Sequence, residues 1–513
     1  MQRVVIRTDA SIQIGSGHVM RCLALADALR DAGASVKFIC REHLGHLCDF
    51  IQTKGFGLCL LPAPEDSIPD PEFLSDNLYS KWLGVSWQQD AQQVEQLLEK
   101  IKTTIDWLIV DHYALDYRWE NRMRHYAKNI MVIDDLADRK HDCDLLLNQN
   151  FYEGFETRYE NLLPPHCKKF LGPKYALLRP EFRTVRETQK PRDGIIRKIF
   201  VYFGSVDASN ETGKTLKAIQ LLGRTDITID VVFGINNPHY DEVRQLCDAG
   251  NINFYPHADN IAMLMTGADL SIGAGGATTW ERCCLGLPSL IVSLAKNQEA
   301  IASAMAEAGY TLYLGKGEEI SAGSVRDTVH ALLLNPGWVR FLANASASLV
   351  DGRGVFRIMG FILEDNLVLR PASALDCKQI YLWRNAQENR EYALDPLPIS
   401  FTDHETWFKD TLENPDRVLL IGEIGEQQIG VLRYDMRDDQ AKVSVYLVPG
   451  KHGQGYGIRL LKAGSSWLLK HKLEVKEIVA EVLPDNFTSA SAFMSAGYSR
   501  YLNIFRQKFE SGQ

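Results

Sequence analysis

The feature that most narrows the fold is a repeated pairing: a short apolar strand ending in glycine or aspartate, then a segment with apolar residues at helical spacing. Val4-Val5-Ile6 leads through a glycine-bearing loop into Val19–Asp31, where Cys22, Leu23, Leu25, Ala26 and Leu29 recur at helical intervals. Val36–Cys40 is the next strand, Trp107–Val110 ends in Asp111, and Ile130–Ile133 ends in Asp134-Asp135. Apolar strands without polar alternation are buried on both faces, and their alternation with helices predicts a parallel sheet wrapped by helices. The pattern then restarts. Lys198–Phe203 runs into Gly204-Ser205, Ile229–Phe233 into Gly234, and Asp269–Ile272 into a glycine cluster followed by Ser289–Val292. Two α/β lobes are expected, joined near residues 151–195.

A break near residues 346–366, with Asp351-Gly352-Arg353-Gly354, interrupts the helices, and beyond it the period changes. Val418–Glu423, Gln428–Tyr434 and Lys442–Leu447 read as an antiparallel meander closed by a glycine-rich loop and a helix at Ile458–Leu469. This predicts a separate α+β domain. The expected organisation is residues 1–155 and 156–345 for the lobes and 366–513 for the last domain, which suits a chain of 513 residues.

A net charge of −9 excludes non-specific nucleic-acid binding, which needs a basic face. Small anions remain compatible, because backbone N–H groups hold phosphate inside an acidic protein. The ten cysteines include no CxxC pair and sit mostly in apolar surroundings, as buried free thiols of a reducing compartment do. Met1–Ile6 opens directly into a strand, and no apolar run approaches the roughly 20 residues of a membrane span. The expectation is a cytoplasmic protein with no membrane partner.

Two glycine-rich turns carry the chemistry of the lobes. Ile14-Gly15-Ser16-Gly17-His18 joins the first strand to the first helix. Gly15 and Gly17 let backbone approach a ligand, and His18 would project into the cleft at the carboxyl ends of the strands. On spacing alone, a tight turn with a backbone-satisfied histidine explains the segment equally well. In the second lobe, Gly275, Gly276, Thr278 and Thr279 open a helix where their N–H and hydroxyl groups suit a diphosphate. Glu281, one turn in, is placed to accept from two ribose hydroxyls, or else to support the helix N-terminus.

Arg7-Thr8-Asp9-Ala10-Ser11 with the His18 turn, Val110-Asp111-His112-Tyr113, Ile133-Asp134-Asp135 and Gly275–Glu281 together resemble the UDP-sugar hydrolase of pseudaminic acid biosynthesis. Phe203-Gly204-Ser205-Val206-Asp207 and Ala295-Lys296-Asn297-Gln298 fit it too, with Ser205 where a second glycine is common. The likeness covers about residues 1–345. It implies two Rossmann-like lobes of the GT-B glycosyltransferase type that give the sugar to water. The implied substrate is UDP-2,4-diacetamido-2,4,6-trideoxy-β-L-altrose, with His18 as the base and UDP against residues 273–281. Asp9, Asp111, Tyr113 and Asn297 are further candidates for holding sugar or water, while Asp134 and Asp135 serve equally well as strand-end caps. UDP is a good leaving group, so a placed water, a base and charge stabilisation suffice, and no metal is expected.

In the last domain, His452-Gly453-Gln454-Gly455-Tyr456-Gly457 follows a strand and opens a helix, a geometry suited to pyrophosphate. With Leu369-Arg370-Pro371, Asn486 and Gly497-Tyr498, it resembles the GNAT acetyltransferases over about residues 366–510. The implied co-substrate is acetyl-CoA, bound through Gly453, Gly455, Tyr456, Gly457 and Asn486. Two departures stand out: His452 replaces the usual Gln or Arg, and Phe493 replaces the usual tyrosine. Tyr498, Tyr501 or water then remain as general acid. Glu481 is a candidate base by position, or a solvated carboxylate. Trp383-Arg384-Asn385, His404 and Trp407 resemble the amino-sugar branch of the family, although core packing explains the tryptophans as well.

These resemblances predict a bifunctional enzyme that N-acetylates UDP-4-amino-4,6-dideoxy-N-acetyl-β-L-altrosamine and then hydrolyses the product, working beside other enzymes of that pathway. The competing readings are a UDP-sugar-dependent glycosyltransferase and a non-catalytic UDP-sugar-binding module, either one fused to an acetyltransferase.

Overall fold

The computed structural model describes residues 2–64, 79–101, 104–204, 207–234, 237–248, 251–256, 258, 260–363, 367–393, 395–424 and 427–500. Ser205 and Val206 of the second-lobe motif, and Tyr501, lie outside the described residues. The chain divides into two compact units, residues 1–358 and 359–513.

In the first unit, seven strands form one fully parallel sheet: β1 (Arg3–Thr8), β2 (Ser35–Arg41), β3 (Gly57–Leu61), β4 (Ile105–Asp111), β5 (Ala127–Ile133), β6 (Leu145–Asn148) and β7 (Lys168–Leu171). Their order is β3-β2-β1-β4-β5-β6-β7. The sheet therefore continues beyond residue 155, through β7. Val5, Ile39, Leu108, Val110, Ile130 and Val132 build a common core under it.

A second parallel sheet repeats the scheme with β8 (Lys198–Tyr202), β9 (Thr228–Val232), β10 (Ile252–Tyr255), β11 (Leu270–Ala274), β12 (Ser289–Ser293) and β13 (Leu312–Lys316), in the order β10-β9-β8-β11-β12-β13. Both sheets are doubly wound, and in each the strand order reverses between the first and fourth strands of its own set. The crevice outside the carboxyl ends of those two strands is where such sheets take ligands. The Asp351–Gly354 break is a tight turn between two helices. A Cβ on Gly354 would lie 2.2 Å from the Ala176 carbonyl oxygen, so only glycine lets the chain pass there.

The second unit carries a five-stranded sheet in sequence order: β14 (Leu367–Pro371), β15 (Arg417–Ile424), β16 (Gln427–Arg437), β17 (Gln440–Leu447) and β18 (Glu477–Ala480). The first four strands pair antiparallel, as the meander predicts, whereas β17 and β18 run parallel. Their last paired residues are Val443 and Ala480, so the final four residues of β17 run on without β18 beside them. The sheet opens at that point.

Beneath the first sheet lies an ion network with no exposed atoms. Arg7 donates to Asp9 (2.6 Å) and Asp90 (2.7 Å), Arg41 donates to Asp90 (2.7 Å), and Trp119 Nε1 donates to Asp90 (3.0 Å). All four charges are fully buried, and they are neutral only as a set. Asp90→Ala leaves two buried guanidiniums short of a partner, so the unfolding transition of this unit should fall by about 3–5 kcal/mol. Denaturant titration followed by tryptophan fluorescence measures it, and an unchanged midpoint would show that the network contributes nothing.

Candidate functional site

His18 is the second residue of the helix Gly17–Asp31, directly after β1, and Asp111 is the last residue of β4. The reversal of strand order therefore brings them together. The turn before the helix closes on itself: Gly15 N–H donates to the Ser11 carbonyl (2.8 Å), and Ser11 Oγ accepts from Ile14 N–H (3.0 Å). Gly15 takes a positive φ of 78°, and a Cβ there or on Gly17 would meet no atom within 4 Å. The space above both glycines is open.

His18 Nδ1 donates to Asp111 Oδ1 at 2.6 Å. A carboxylate only accepts, so this contact puts the neutral imidazole's proton on Nδ1 and its lone pair on Nε2. Among the described residues, Nε2 has no protein hydrogen-bond partner. Arg21, one helical turn on, grips the same carboxylate with Nε (2.7 Å to Oδ2) and Nη2 (2.7 Å to Oδ1). Burial alone would push the Asp111 carboxyl up. The Arg21 guanidinium, and then His18, outweigh burial and hold it well below the usual carboxylate range.

Arg21 reaches further, donating through Nη1 to Asp135 at 2.8 Å. Asp135 also accepts from the Tyr113 hydroxyl and from Asn150 Nδ2 (2.7 Å). The Tyr113 ring meets His18 edge-on at 4.6 Å between centroids, and Trp82 stacks on Tyr113 at 5.6 Å. Asp134 and Asp135 thus separate into two roles. Asp134 caps the local loop, accepting from Ala137 N–H (2.8 Å) and the Tyr159 hydroxyl (2.9 Å) and pairing with Arg139 (2.9 Å), whereas Asp135 joins the His18 cluster. Asp9 lies in the buried ion network rather than at the surface of the cleft. Its Oδ1 is occupied by Arg7 and by Arg41 N–H (2.7 Å).

In the second lobe, Gly273 lies so close to β8 that a Cβ would sit 2.2 Å from the Tyr202 carbonyl oxygen. Gly275 and Gly276 form the loop before the helix Thr278–Cys284, with Gln298 beside them and Asn297 half-buried next to it. The Thr279 hydroxyl is buried and accepts from Arg282 (3.0 Å), while Thr278 is half-buried at the helix start. Glu281 is also half-buried, and its carboxyl is pushed up by burial against the opposing pull of Arg179, which stands 3.5 Å away.

In the second unit, Gly453 and Gly455 take positive φ of 73° and 80° ahead of the helix Tyr456–His471. A Cβ on Gly457 would meet nothing within 4 Å. This loop begins beyond the end of β17, just where the sheet opens. Tyr456 is buried, and Asn486 caps the helix Phe487–Ser495 by accepting from Ser489 N–H (3.0 Å). Glu481 is exposed and pairs with Lys442 Nζ at 2.8 Å. Phe493 is buried against Tyr498, whose hydroxyl lies 3.1 Å from Ser465 Oγ. Trp383 and His404 are core residues; His404 bonds to the Cys377 carbonyl (3.1 Å).

Comparison with known proteins agrees with this division. Residues 366–499 match the acetyltransferase (GNAT) domain family, and residues 198–342 match the glycosyltransferase family 28 C-terminal domain. The chain joins a GT-B-like unit to a GNAT domain. An uncharacterised protein of Methanocaldococcus jannaschii is 24% identical over 97% of both chains. The UDP-2,4-diacetamido-2,4,6-trideoxy-beta-L-altropyranose hydrolase of Campylobacter jejuni is 28% identical over 60% of this chain and 97% of its own. Among solved structures, MurG of Acinetobacter baumannii shares the two-lobed fold at a TM-score of 0.50 and 13% identity, covering 71% of this chain and 99% of its own. Among the described residues, no cluster of three or more His, Cys, Asp or Glu side chains is arranged to hold a metal, and no helix is long and apolar enough to cross a membrane.

Asp134 generates a pH prediction. Burial raises its carboxyl, but Arg139 and then His141 outweigh that and hold it at about 2. A depressed carboxyl contributes stability above its unfolded value, and that contribution is lost as pH falls from about 4 through about 2. Wild-type unfolding should therefore lose roughly 2 kcal/mol from this group across that window. Asp134→Asn should flatten that part of the stability–pH curve, and an identical curve would remove Asp134 as its source.

Proposed function

We propose that the protein performs two consecutive steps on one nucleotide sugar. The second unit transfers acetyl from acetyl-CoA to the 4-amine of UDP-4-amino-4,6-dideoxy-N-acetyl-β-L-altrosamine. The first unit then hydrolyses the UDP-2,4-diacetamido-2,4,6-trideoxy-β-L-altrose so formed to free sugar and UDP. The observation that carries the hydrolytic step is His18: Nδ1 is committed to a buried carboxylate, and among the described residues Nε2 has no partner at the strand reversal of the lobe. Similarity to the Campylobacter hydrolase along nearly its whole length supports the substrate class.

In this reading, His18 Nε2 takes a proton from water while the water oxygen bonds to the anomeric carbon. The bond from that carbon to the β-phosphate oxygen breaks, and UDP leaves with its electron pair. Gly276 and Thr278 offer backbone and hydroxyl donors to the diphosphate, Gly275 keeps the loop there free of a side chain, Glu281 accepts from the ribose, and Asn297 holds the sugar or water. In the acetyltransferase the 4-amine attacks the thioester carbonyl, the bond from that carbon to sulfur breaks, coenzyme A leaves as thiolate, and the proton given up by the amine passes through water to that thiolate. The opening between β17 and β18 and the glycine loop beyond it suit the pantetheine arm and pyrophosphate. Both reactions are assigned to the cytoplasm, in keeping with ten free cysteines.

His18→Ala should abolish UDP release while acetyl transfer continues. General-base catalysis contributes about 10²–10⁴-fold, so a loss below roughly tenfold would remove His18 from the mechanism. The order of steps has its own test. A pocket shaped for a neutral 4-acetamido group leaves a 4-ammonium ion desolvated and unpaired, which is a basis for rejecting it. Replacing Gly455 and Gly457 with valine should stop acetylation by filling the space the pyrophosphate needs. That enzyme should release little UDP from the 4-amino sugar but hydrolyse pre-acetylated substrate at the wild-type rate. Equal UDP release from both sugars would overturn the order.

A further inference from the structure

We infer that Arg21 and Asp135 are positioning residues that set how readily His18 takes a proton from water. This rests on the reading of His18 as the base. The contacts close into a ring: His18 to Asp111, Asp111 to Arg21, Arg21 to Asp135, Asp135 to the Tyr113 hydroxyl, and the Tyr113 ring back against His18. Neither Arg21 nor Asp135 has its role in touching substrate; both act through the Asp111–His18 pair.

The charge on this ring gives it its consequence. With His18 neutral, two carboxylates and one guanidinium sum to one negative charge in a buried setting. When His18 takes a proton the sum is zero. Proton transfer from water to Nε2 thus relieves an uncompensated buried charge, and the transition state gains what the resting state lacks.

Among the described residues, no other charge faces the imidazole closely. Cys22 donates its thiol to Asp111 (3.4 Å), and burial pushes that thiol up, so it stays neutral. His112, next to Asp111 on β4, is pushed down to about 3 by burial and turns its Nε2 toward Asp9 Oδ2 (3.4 Å). The Tyr113 hydroxyl is pushed up by burial, and Trp82 contributes only its ring. Behind Asp135, Arg158 stands over Tyr152 and donates to the Leu136 carbonyl (2.8 Å). The charges of the neighbouring Arg7, Arg41, Asp9 and Asp90 cancel among themselves.

Removing either charge therefore shifts the base in opposite directions, which a merely structural role would not do. The test is the pH profile of kcat/KM for UDP release from the pre-acetylated sugar, using the full chain. Asp135→Asn keeps the shape and removes a negative charge, so the acid limb should move to lower pH by about one unit with a lower plateau. Arg21→Gln removes the cation, so the limb should move up by a similar amount. Arg21→Lys keeps the charge with poorer geometry and should lower the plateau while leaving the limb in place. Calorimetric UDP affinity checks that each variant is folded. If Arg21→Gln does not fold, the sign of the Asp135→Asn shift decides. Limbs unmoved, or moved in the same direction, overturn the inference. His18→Ala separates the two failures: an active His18→Ala enzyme sinks the reading of His18 itself. An inactive one alongside unshifted limbs sinks only the role given to Arg21 and Asp135.

Discussion

A carboxylate cannot be taken out of water without compensation, and much of the first lobe follows from how Asp111 is compensated. Asp111 is fully buried at the end of a central strand, where the next chain segment to arrive must bring positive charge. The helix after β1 does so with Arg21, while His18, three residues earlier on the same face of the helix, adds an N–H donor. Both reach a single carboxylate only if the helix starts directly over the end of β4. The same ion cluster that makes the burial tolerable thereby fixes the height and rotation of the helix, and with them the direction of His18.

The two lobes meet the demands of a binding crevice by different means. In the first, charge is matched inside: Asp111 and Asp135 hold the cleft side, while Arg7, Arg41, Asp9 and Asp90 neutralise one another beneath β1 and β2. The second has glycine at the corresponding place. Gly273 lets β11 lie against β8 without a side chain between them, and Gly275 and Gly276 lead without side chains into a helix start, the Gly275 N–H donating to the Val292 carbonyl (3.3 Å). The first lobe thus gathers fixed charge around His18, and the second sets a loop without side chains ahead of a helix.

The architecture was legible because buried parallel strands announce themselves as apolar runs; the strands bordering the reversal points, β1, β4, β8 and β11, are mostly apolar, interrupted by Asp106 in β4 and Ser271 in β11. The strands missed in the sequence lie away from the reversal points. Lys168-Lys169-Phe170-Leu171 at one edge is half charged, as edge strands often are, and Ile252-Asn253-Phe254-Tyr255 alternates. The pairing of His18 with Asp111, 93 residues apart, has no local signal. The spacing of His18 and Arg21 was a signal, and it marks Arg21 as a neighbour of His18. Asp134 and Asp135 were indistinguishable in sequence, because which of two adjacent carboxylates turns toward the cleft depends on Arg139 and Arg21, and both arrive from elsewhere.

The acetyltransferase domain shows how a departure from a motif is absorbed. His452 stands where glutamine or arginine is usual, and both of its ring nitrogens meet side chains of one short helix, Gln387–Arg390. Nε2 lies 3.0 Å from Asn389 Oδ1, and Nδ1 lies 2.8 Å from Glu388 Oε2. The Asn389 amide is oriented by donating to the carbonyls of Trp383 (2.7 Å) and Leu447 (2.9 Å), and Glu388 also accepts from Gly450 N–H (3.1 Å). Leu447 is the last residue of β17, so one short helix ties the point where the sheet opens to the loop that follows. Gly453 and Gly455 take positive φ, and the helix Tyr456–His471 starts directly after the loop. The departure from the motif is thus met within the domain, by contacts between His452 and the short helix that carries Glu388 and Asn389.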